Sequence, residues 1–194
     1  GATWSISGAP IMSWAYITGK NVTAAVVSGG GIYLSRDYGT TWNVSSAPVE
    51  NWVSIAISDS SQYLFVAFNS VLIYKSNDYG VSWNSIVTNS TATISRLAAS
   101  STGQYVTCAT VTTVYSSDDF GETWFATTAP IVQGSSWYAS LTSSSTGQFV
   151  YAAAYVGSIY MSENYVDVCN SGQGHGDSDY GLCVDCTGNT YNSG

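Results

Sequence analysis

The chain is expected to fold as an all-β domain of stacked four-stranded units, and three observations lead there. An eight-residue stretch, Ser35-Arg36-Asp37-Tyr38-Gly39-Thr40-Thr41-Trp42, returns as Ser76-Asn77-Asp78-Tyr79-Gly80-Val81-Ser82-Trp83 and as Ser117-Asp118-Asp119-Phe120-Gly121-Glu122-Thr123-Trp124, its tryptophan advancing by 41 residues each time. Short apolar runs such as Ile32-Tyr33-Leu34 and Leu72-Ile73-Tyr74 precede the copies, and Gly and Ser turns separate them. No stretch carries helical periodicity. A fixed period of this size means supersecondary units that bury their apolar faces against one another.

Each copy reads as a tight turn between two strands. The aspartate accepts backbone N–H groups of its own turn, the glycine supplies a positive φ, and the Ser and Thr hydroxyls tie down the ends. The tryptophan ring then fills the space between neighbouring units. These residues resemble the Asp-box (BNR) repeat, S-x-D-x-G-x-T-W, found in the propellers of sialidases, xyloglucanases, sortilin-type receptors and photosystem assembly factors. The resemblance implies a β-propeller of four-stranded blades. It also implies that Ser35, Asp37, Gly39 and Trp42, with Ser76, Asp78, Gly80 and Trp83 and with Ser117, Asp119, Gly121 and Trp124, staple rim turns rather than catalyse.

Taken in order, the chain opens in mid-repeat, because Gly1-Ala2-Thr3-Trp4 lines up with Gly39-Thr40-Thr41-Trp42. Ala9-Pro10 through Trp14 then recurs as Ala47-Pro48 through Trp52, the proline ending an outer strand and the tryptophan opening an inner one. Strands are expected at 14–17, 22–27 and 31–35, with an outer strand after the first box. The later units repeat this at 53–57, 63–68, 71–76 and 83–87, then at 95–99, 105–110, 112–117 and 124–127. The last unit spans 137–141, 149–154 and 158–162. Small residues such as Ala24-Ala25 and Ala152-Ala153-Ala154 suit central strands buried on both faces. The fourth box is broken, since Ser162-Glu163-Asn164-Tyr165 is followed by Val166 and no tryptophan. The expectation is therefore four blades closed by the N-terminal strand, with residues 2–7 completing the last blade. The alternatives are a larger propeller with further blades upstream, and a strand exchanged between chains. Trp4, Trp42, Trp83 and Trp124 are expected in the core, and Tyr38, Tyr79 and Phe120 at exposed turn tips.

Composition changes after residue 166, which sets a propeller at 1–166 and a second module at 167–194, a short cysteine-rich tail without strand pattern. Cys169, Cys183 and Cys186, with Gly188 and Tyr191 after the last, resemble cysteine-rich repeats of ephrin-receptor or tumour-necrosis-factor-receptor type. A zinc half-site or redox pair at Cys183 and Cys186 is the weaker reading, because no second Cys-x-x-Cys and no βαβ pattern accompany them. The expectation is a disulfide between Cys169 and Cys183, with Cys186 paired beyond residue 194. Cys108 reads as a buried free thiol. His175 with Asp177 and Asp179 reads as a solvated loop before it reads as a metal site, and a weak calcium site with Asp185 matches no known loop. No metal and no cofactor are expected.

Only 8% of residues are charged and the net charge is −8, with Lys20, Arg36, Lys75 and Arg96 as the basic residues. Such a chain cannot neutralise a row of phosphates, so nucleic acid is not a partner. No apolar run approaches a membrane span, so direct membrane insertion is not expected. The sequons at Asn21, Asn43 and Asn89, together with the cysteines, favour a secreted or cell-surface glycoprotein carrying N-linked glycans. Sialidase chemistry resembles three arginines clamping a carboxylate, and this chain has two. Other glycosidases need two facing carboxylates, and Glu50, Asp59, Glu122, Glu163 and Asp167 have no partner that spacing can place. The expectation is a non-enzymatic structural or adhesion segment of a modular extracellular glycoprotein that self-associates into a filament or matrix, or contacts other extracellular proteins. The alternative is a carbohydrate- or peptide-binding propeller, and behind it a glycoside hydrolase remnant.

Overall fold

The computed structural model describes residues 3–129, 138–155, 157–163, 173–175 and 183–185. The strands follow the repeat. The first unit holds β1 (Trp14–Gly19), β2 (Thr23–Gly30), β3 (Ile32–Ser35) and β4 (Asn43–Val44), and the second holds β5 (Glu50–Ile57), β6 (Leu64–Phe68), β7 (Leu72–Ser76) and β8 (Asn84–Val87). The third is β9 (Ile94–Ala99), β10 (Val106–Thr110), β11 (Val114–Ser117) and β12 (Phe125–Ala126). The fourth has β13 (Tyr138–Ser143), β14 (Phe149–Ala154) and β15 (Ile159–Glu163). Within each unit consecutive strands pair antiparallel, and a short β2–β5 ladder links the first two units.

Packing is face on face. Val26, Ile32 and Leu34 of the first unit meet Ile55, Leu64 and Val66 of the second. Ala56, Phe65 and Ile73 on the opposite face of the second meet Leu97, Val106 and Cys108 of the third. Ala98, Ala109 and Val114 of the third then meet Leu141, Val150 and Ala152 of the fourth. Each fully buried aliphatic side chain contributes about 1.5–3 kcal/mol, so the seams between units, not the hairpins, hold the fold. Inter-unit hydrogen bonds line the inner strands: Leu97 N–H donates to Ser54 Oγ at 3.0 Å, and Ser95 Oγ donates to the Tyr138 carbonyl at 3.2 Å.

A second repeated turn joins the first two strands of units two to four. Ser58-Asp59-Ser60-Ser61-Gln62-Tyr63 returns as Ser100-Ser101-Thr102-Gly103-Gln104-Tyr105 and Ser144-Ser145-Thr146-Gly147-Gln148-Phe149. In each, the first serine Oγ accepts the N–H of the closing aromatic, at 3.1 Å from Tyr63, 3.1 Å from Tyr105 and 3.0 Å from Phe149. These turns bond to one another across units: Asp59 N–H to the Ser101 carbonyl at 2.7 Å, and Ser101 N–H to the Ser145 carbonyl at 2.8 Å. The octapeptide turns sit on the same rim, since Tyr79 N–H reaches the Gln62 carbonyl at 3.1 Å and Phe120 N–H the Gln104 carbonyl at 2.9 Å.

Three expectations need correction. Residues 3–13 form no strand and, among the described residues, none pairs with β15, so the closure expected of residues 2–7 is not seen. Instead Gly8 N–H donates to the Gly39 carbonyl at 3.0 Å, which holds the segment against the first unit. Trp4 is 98% exposed, whereas Trp124 is buried and Trp42 and Trp83 are half-buried. Trp124 is covered within the cluster between the second and third units and Trp42 lies beside Trp14, whereas Trp4 protrudes from the N-terminal segment. The tail also contains a two-stranded ladder, β16 (Gln173–His175) with β17 (Cys183–Asp185), placing Cys183 opposite His175. Cys169, Cys186, Asp177 and Asp179 lie outside the described residues, as do residues 1–2, 130–137 and 164–167.

Candidate functional site

The three rim turns are the most distinctive chemistry in the chain, and they share one geometry. Ser35 Oγ donates to Asp37 Oδ1 at 2.9 Å and accepts Gly39 N–H at 2.8 Å. Asp37 Oδ1 also accepts Thr41 N–H at 2.8 Å, its Oδ2 accepts Thr41 Oγ1–H at 2.7 Å, and the Trp42 indole N–H donates to the Gly39 carbonyl at 3.1 Å. Asp78 repeats this with Ser76 Oγ at 2.8 Å and Ser82 N–H at 2.9 Å, and Asp119 with Ser117 Oγ and Thr123 N–H, both at 2.8 Å. Both oxygens of each carboxylate are thereby engaged inside their own turn.

The glycines Gly39, Gly80 and Gly121 have φ of 88°, 83° and 82°, and the aromatics before them, Tyr38, Tyr79 and Phe120, have φ of 58°, 63° and 61°. Two successive positive φ values closed by the Thr40 N–H to Asp37 carbonyl bond make a type I′ turn. The left-handed aromatic costs about 1–2 kcal/mol, which the carboxylate bonds offset. Tyr38 is 93% and Tyr79 44% exposed, while Phe120 is half-buried against Tyr63, their rings 4.7 Å apart.

Hydrogen bonds set the acidity of these groups. Thr41 N–H and hydroxyl hold Asp37 below the usual carboxylate range. Burial pushes Asp78 and Asp119 upward, but the combined bonds from Ser82, Ser76 and Val81, and from Thr123, Ser117 and Glu122, outweigh it and leave both lowered. A carboxyl with a depressed native pKa stabilises the fold fully above its unfolded value and loses that contribution as pH falls through the native one. Unfolding free energy is therefore expected to hold from pH 7 to about pH 4 and to drop below it. Urea midpoints at about pH 7, 4 and 2.5 check this, and the double variant Asp78→Asn with Asp119→Asn should flatten the acid limb. An acid limb of unchanged slope in that variant would show that the turns do not carry the effect.

The four basic residues are paired with carboxylates or spent on backbone. Lys20 Nζ lies 2.9 Å from Asp59, and Lys75, buried, meets Glu122 of the next turn. Arg36 Nη2 donates to the Tyr79 carbonyl at 2.7 Å and Arg96 Nε to the Ala139 carbonyl at 2.7 Å, so both arginines bridge units. Among the described residues no three His, Cys, Asp or Glu side chains cluster as metal ligands, and no helix is long and apolar enough to cross a membrane. Cys108 is a buried free thiol whose pKa burial pushes up, so it is neither nucleophile nor redox partner in the folded chain. Asn21, Asn43 and Asn89 are all exposed, Asn89 at a turn with φ of 56°.

Three concavities lack charged side chains. One of about 190 Å³ lies where the inner strands β1, β5, β9 and β13 converge, lined by Tyr16, Ile55, Leu97, Leu141 and Thr142 among others. A second, about 210 Å³, opens between units three and four beside Val114, Thr127, Val150 and Tyr160. The third, about 330 Å³, lies on the first unit between Trp14, Ile17, Trp42 and the N-terminal Ser7 and Ala9. The first has a predominantly polar wall, while the apolar walls with a few hydroxyls of the second and third suit an uncharged ligand or a peptide more than a phosphate or a metal. Exposed loop tyrosines were legible in the turn motif, whereas the concavities arise between strands far apart in sequence.

No protein-family model matches the chain, and no curated protein matches it. Solved structures do. An ancestral GH74 enzyme superposes with a TM-score of 0.61 at 17% identity over 80% of this chain and 23% of that one. The β-propeller domain of Cps50 (Swd1) from Myceliophteria thermophila gives 0.64 at 10% identity over 80% of this chain and 53% of that one. YCF48 bound to a D1 peptide gives 0.55 at 14% identity over 81% of this chain and 55% of that one. The chain thus spans from about a quarter to about half the length of these structures, and the likeness shows a β-propeller fold.

Proposed function

We propose that this chain is a non-catalytic propeller segment that binds an extended peptide or protein partner, carried by a secreted or cell-surface glycoprotein. The observation that carries the reading is the engagement of the carboxylates: Asp37, Asp78 and Asp119 use both oxygens within their turns. Asp59 and Glu122 add to it by facing lysines. Each described carboxyl whose pKa is displaced is held low, the opposite of what a glycosidase proton donor needs. What remains for recognition is uncharged concave surface, and one similar propeller, YCF48, is recorded with a peptide.

In this reading the octapeptides are Asp-box staples, residues 1–166 form four propeller blades and 167–194 begin a disulfide-linked module. Asn21, Asn43 and Asn89 carry N-linked glycans, and a structural or adhesion role in a matrix follows from the same surfaces. A carbohydrate partner is the second reading, favoured by Tyr38, 93% exposed at a rim tip where a sugar ring can stack. The test is the purified chain on a peptide array and a glycan array in parallel, with a xyloglucan hydrolysis assay alongside. Peptide binding without hydrolysis supports the proposal. Binding confined to glycans, with loss in Tyr38→Ala, moves it to the second reading, and turnover of xyloglucan overturns it.

A further inference from the structure

We propose that the cavity between units three and four is a binding site for one aromatic ring that carries a hydrogen-bond donor, an indole or a phenol. This goes beyond the peptide reading and stands without it, because a free indole compound meets the same description as a tryptophan side chain.

The chain supplies its own template for the ring. In the seam between units two and three, Trp124 is buried with Phe65 and Ile73 of unit two and with Val106 and Cys108 of unit three. In the seam between units one and two, Trp83 packs on the cluster that holds Ile32, Leu64 and Val66. Strand register carries these positions forward by one unit. Val114 pairs with Ala109 as Ile73 pairs with Ala67, and Thr107 pairs with Ser116 as Phe65 pairs with Lys75. Val150 pairs with Ser162 as Val106 pairs with Ser117, and Ala152 pairs with Tyr160 as Cys108 pairs with Tyr115. Thr107, Val114, Val150 and Ala152, the counterparts of the four residues around Trp124, all line the cavity of about 210 Å³. The cavity is therefore the tryptophan slot of the third seam.

The sequence places no tryptophan at the motif position that serves this slot. Trp83 and Trp124 stand seven residues after Ser76 and Ser117, and the seventh residue after Ser162 is Cys169. The walls also depart from the template in one direction. Thr107 replaces Phe65 and Ser116 replaces Lys75, while Thr127, whose N–H donates to the Val114 carbonyl, takes the place that Ile86 holds opposite Ile73. Each change shortens a side chain and brings in a hydroxyl, so the slot is roomier and more polar than the one Trp124 fills. Thr107 and Ser116 are 3% and 4% exposed, with their hydroxyl oxygens 3.4 Å apart. Each oxygen has two lone pairs, so the pair can accept the N–H or O–H of an entering ring. Among the described residues no charged side chain lines the cavity, which favours a neutral ring over an ion. A dry cavity of ~150 Å³ already admits benzene, so this one has room for an indole or a phenol.

The test is an NMR titration of the chain with N-acetyltryptophanamide, N-acetyltyrosinamide and N-acetylleucinamide, following the methyl groups of Val114, Val150 and Ala152. The two aromatic compounds should give saturable ring-current shifts at these methyls, and the leucine compound should give none. Thr107→Phe, which restores the side chain found at Phe65, should weaken binding by about tenfold or more by filling the slot, with the urea midpoint showing that the fold is kept. Thr127→Ile, a smaller change at the half-buried margin, should weaken it in the same direction and serves if the phenylalanine is not tolerated. Free indole and a short tryptophan-containing peptide distinguish the sources of the ring. Tighter binding of the peptide names a side chain as the occupant and equal binding names a free ring, and both support the site. No saturable shift at the three methyls, equal shifts with the leucine compound, or unchanged affinity in the folded variants overturns it.

Discussion

Replacing Trp124 by alanine is expected to lower the unfolding free energy by about 3–5 kcal/mol, the largest single loss among the rim residues. The ring is 6% exposed within the cluster that Phe65, Ile73, Ile94 and Val106 form between the second and third units. Its indole N–H, donating to the Gly121 carbonyl at 2.9 Å, would also go. Trp83→Ala, by contrast, should cost about 2 kcal/mol, because that half-buried ring lies at the margin of its cluster rather than inside it. Urea denaturation of both variants at a single temperature separates them. Equal losses would mean that the turn, not the seam, sets the value of the tryptophan.

Gly103→Ala is expected to cost about 2–4 kcal/mol, from a left-handed backbone and from overpacking together. Its φ is 79°, and an added Cβ would lie 2.9 Å from Tyr63 Cβ and 3.2 Å from Ser58 Cβ in the preceding unit. Neither atom is the flexible end of a side chain, so backbone must move, and the moving piece carries the Asp59 to Ser101 bond between units. Gly147 stands in the same relation to Tyr105, with a Cβ 2.6 Å away. Ser61 holds the corresponding site in the second unit at φ 62°, and there the first unit's turn offers Val22, whose N–H donates to Ser61 Oγ at 2.9 Å. The serine is thus accommodated where a bond replaces a clash. A shift in urea midpoint equivalent to less than about 0.5 kcal/mol for Gly103→Ala would refute the close-approach account.

The octapeptide turns were legible because their bonds are local. The carboxylate of Asp78 reaches residues no more than four positions away, so the motif contains its own partners. Strand positions followed from the same period, with 71–76 expected and Leu72–Ser76 found, and 105–110 expected and Val106–Thr110 found. The left-handed φ of Tyr38, Tyr79 and Phe120 was not legible, since aromatic residues rarely adopt it and nothing in the motif marks it. The second turn was legible in principle, its Ser-x-Ser/Thr-Ser/Gly-Gln-Tyr/Phe pattern returning at Ser58, Ser100 and Ser144. The stronger Asp-containing repeat overshadowed it. The burial of Trp124 depended on the unit packed against it, and the concavity among the inner strands on strands drawn from all four units.

By itself the sequence determined the all-β class, the repeat length and the chemistry of the rim turns, because each rests on backbone geometry and bonds within a few residues. Only the tertiary structure decided which faces are covered. Trp124 and Trp4 occupy equivalent motif positions, yet one is buried and the other is 98% exposed. Burial is a property of the seam between units, and a seam needs two surfaces where a motif describes one.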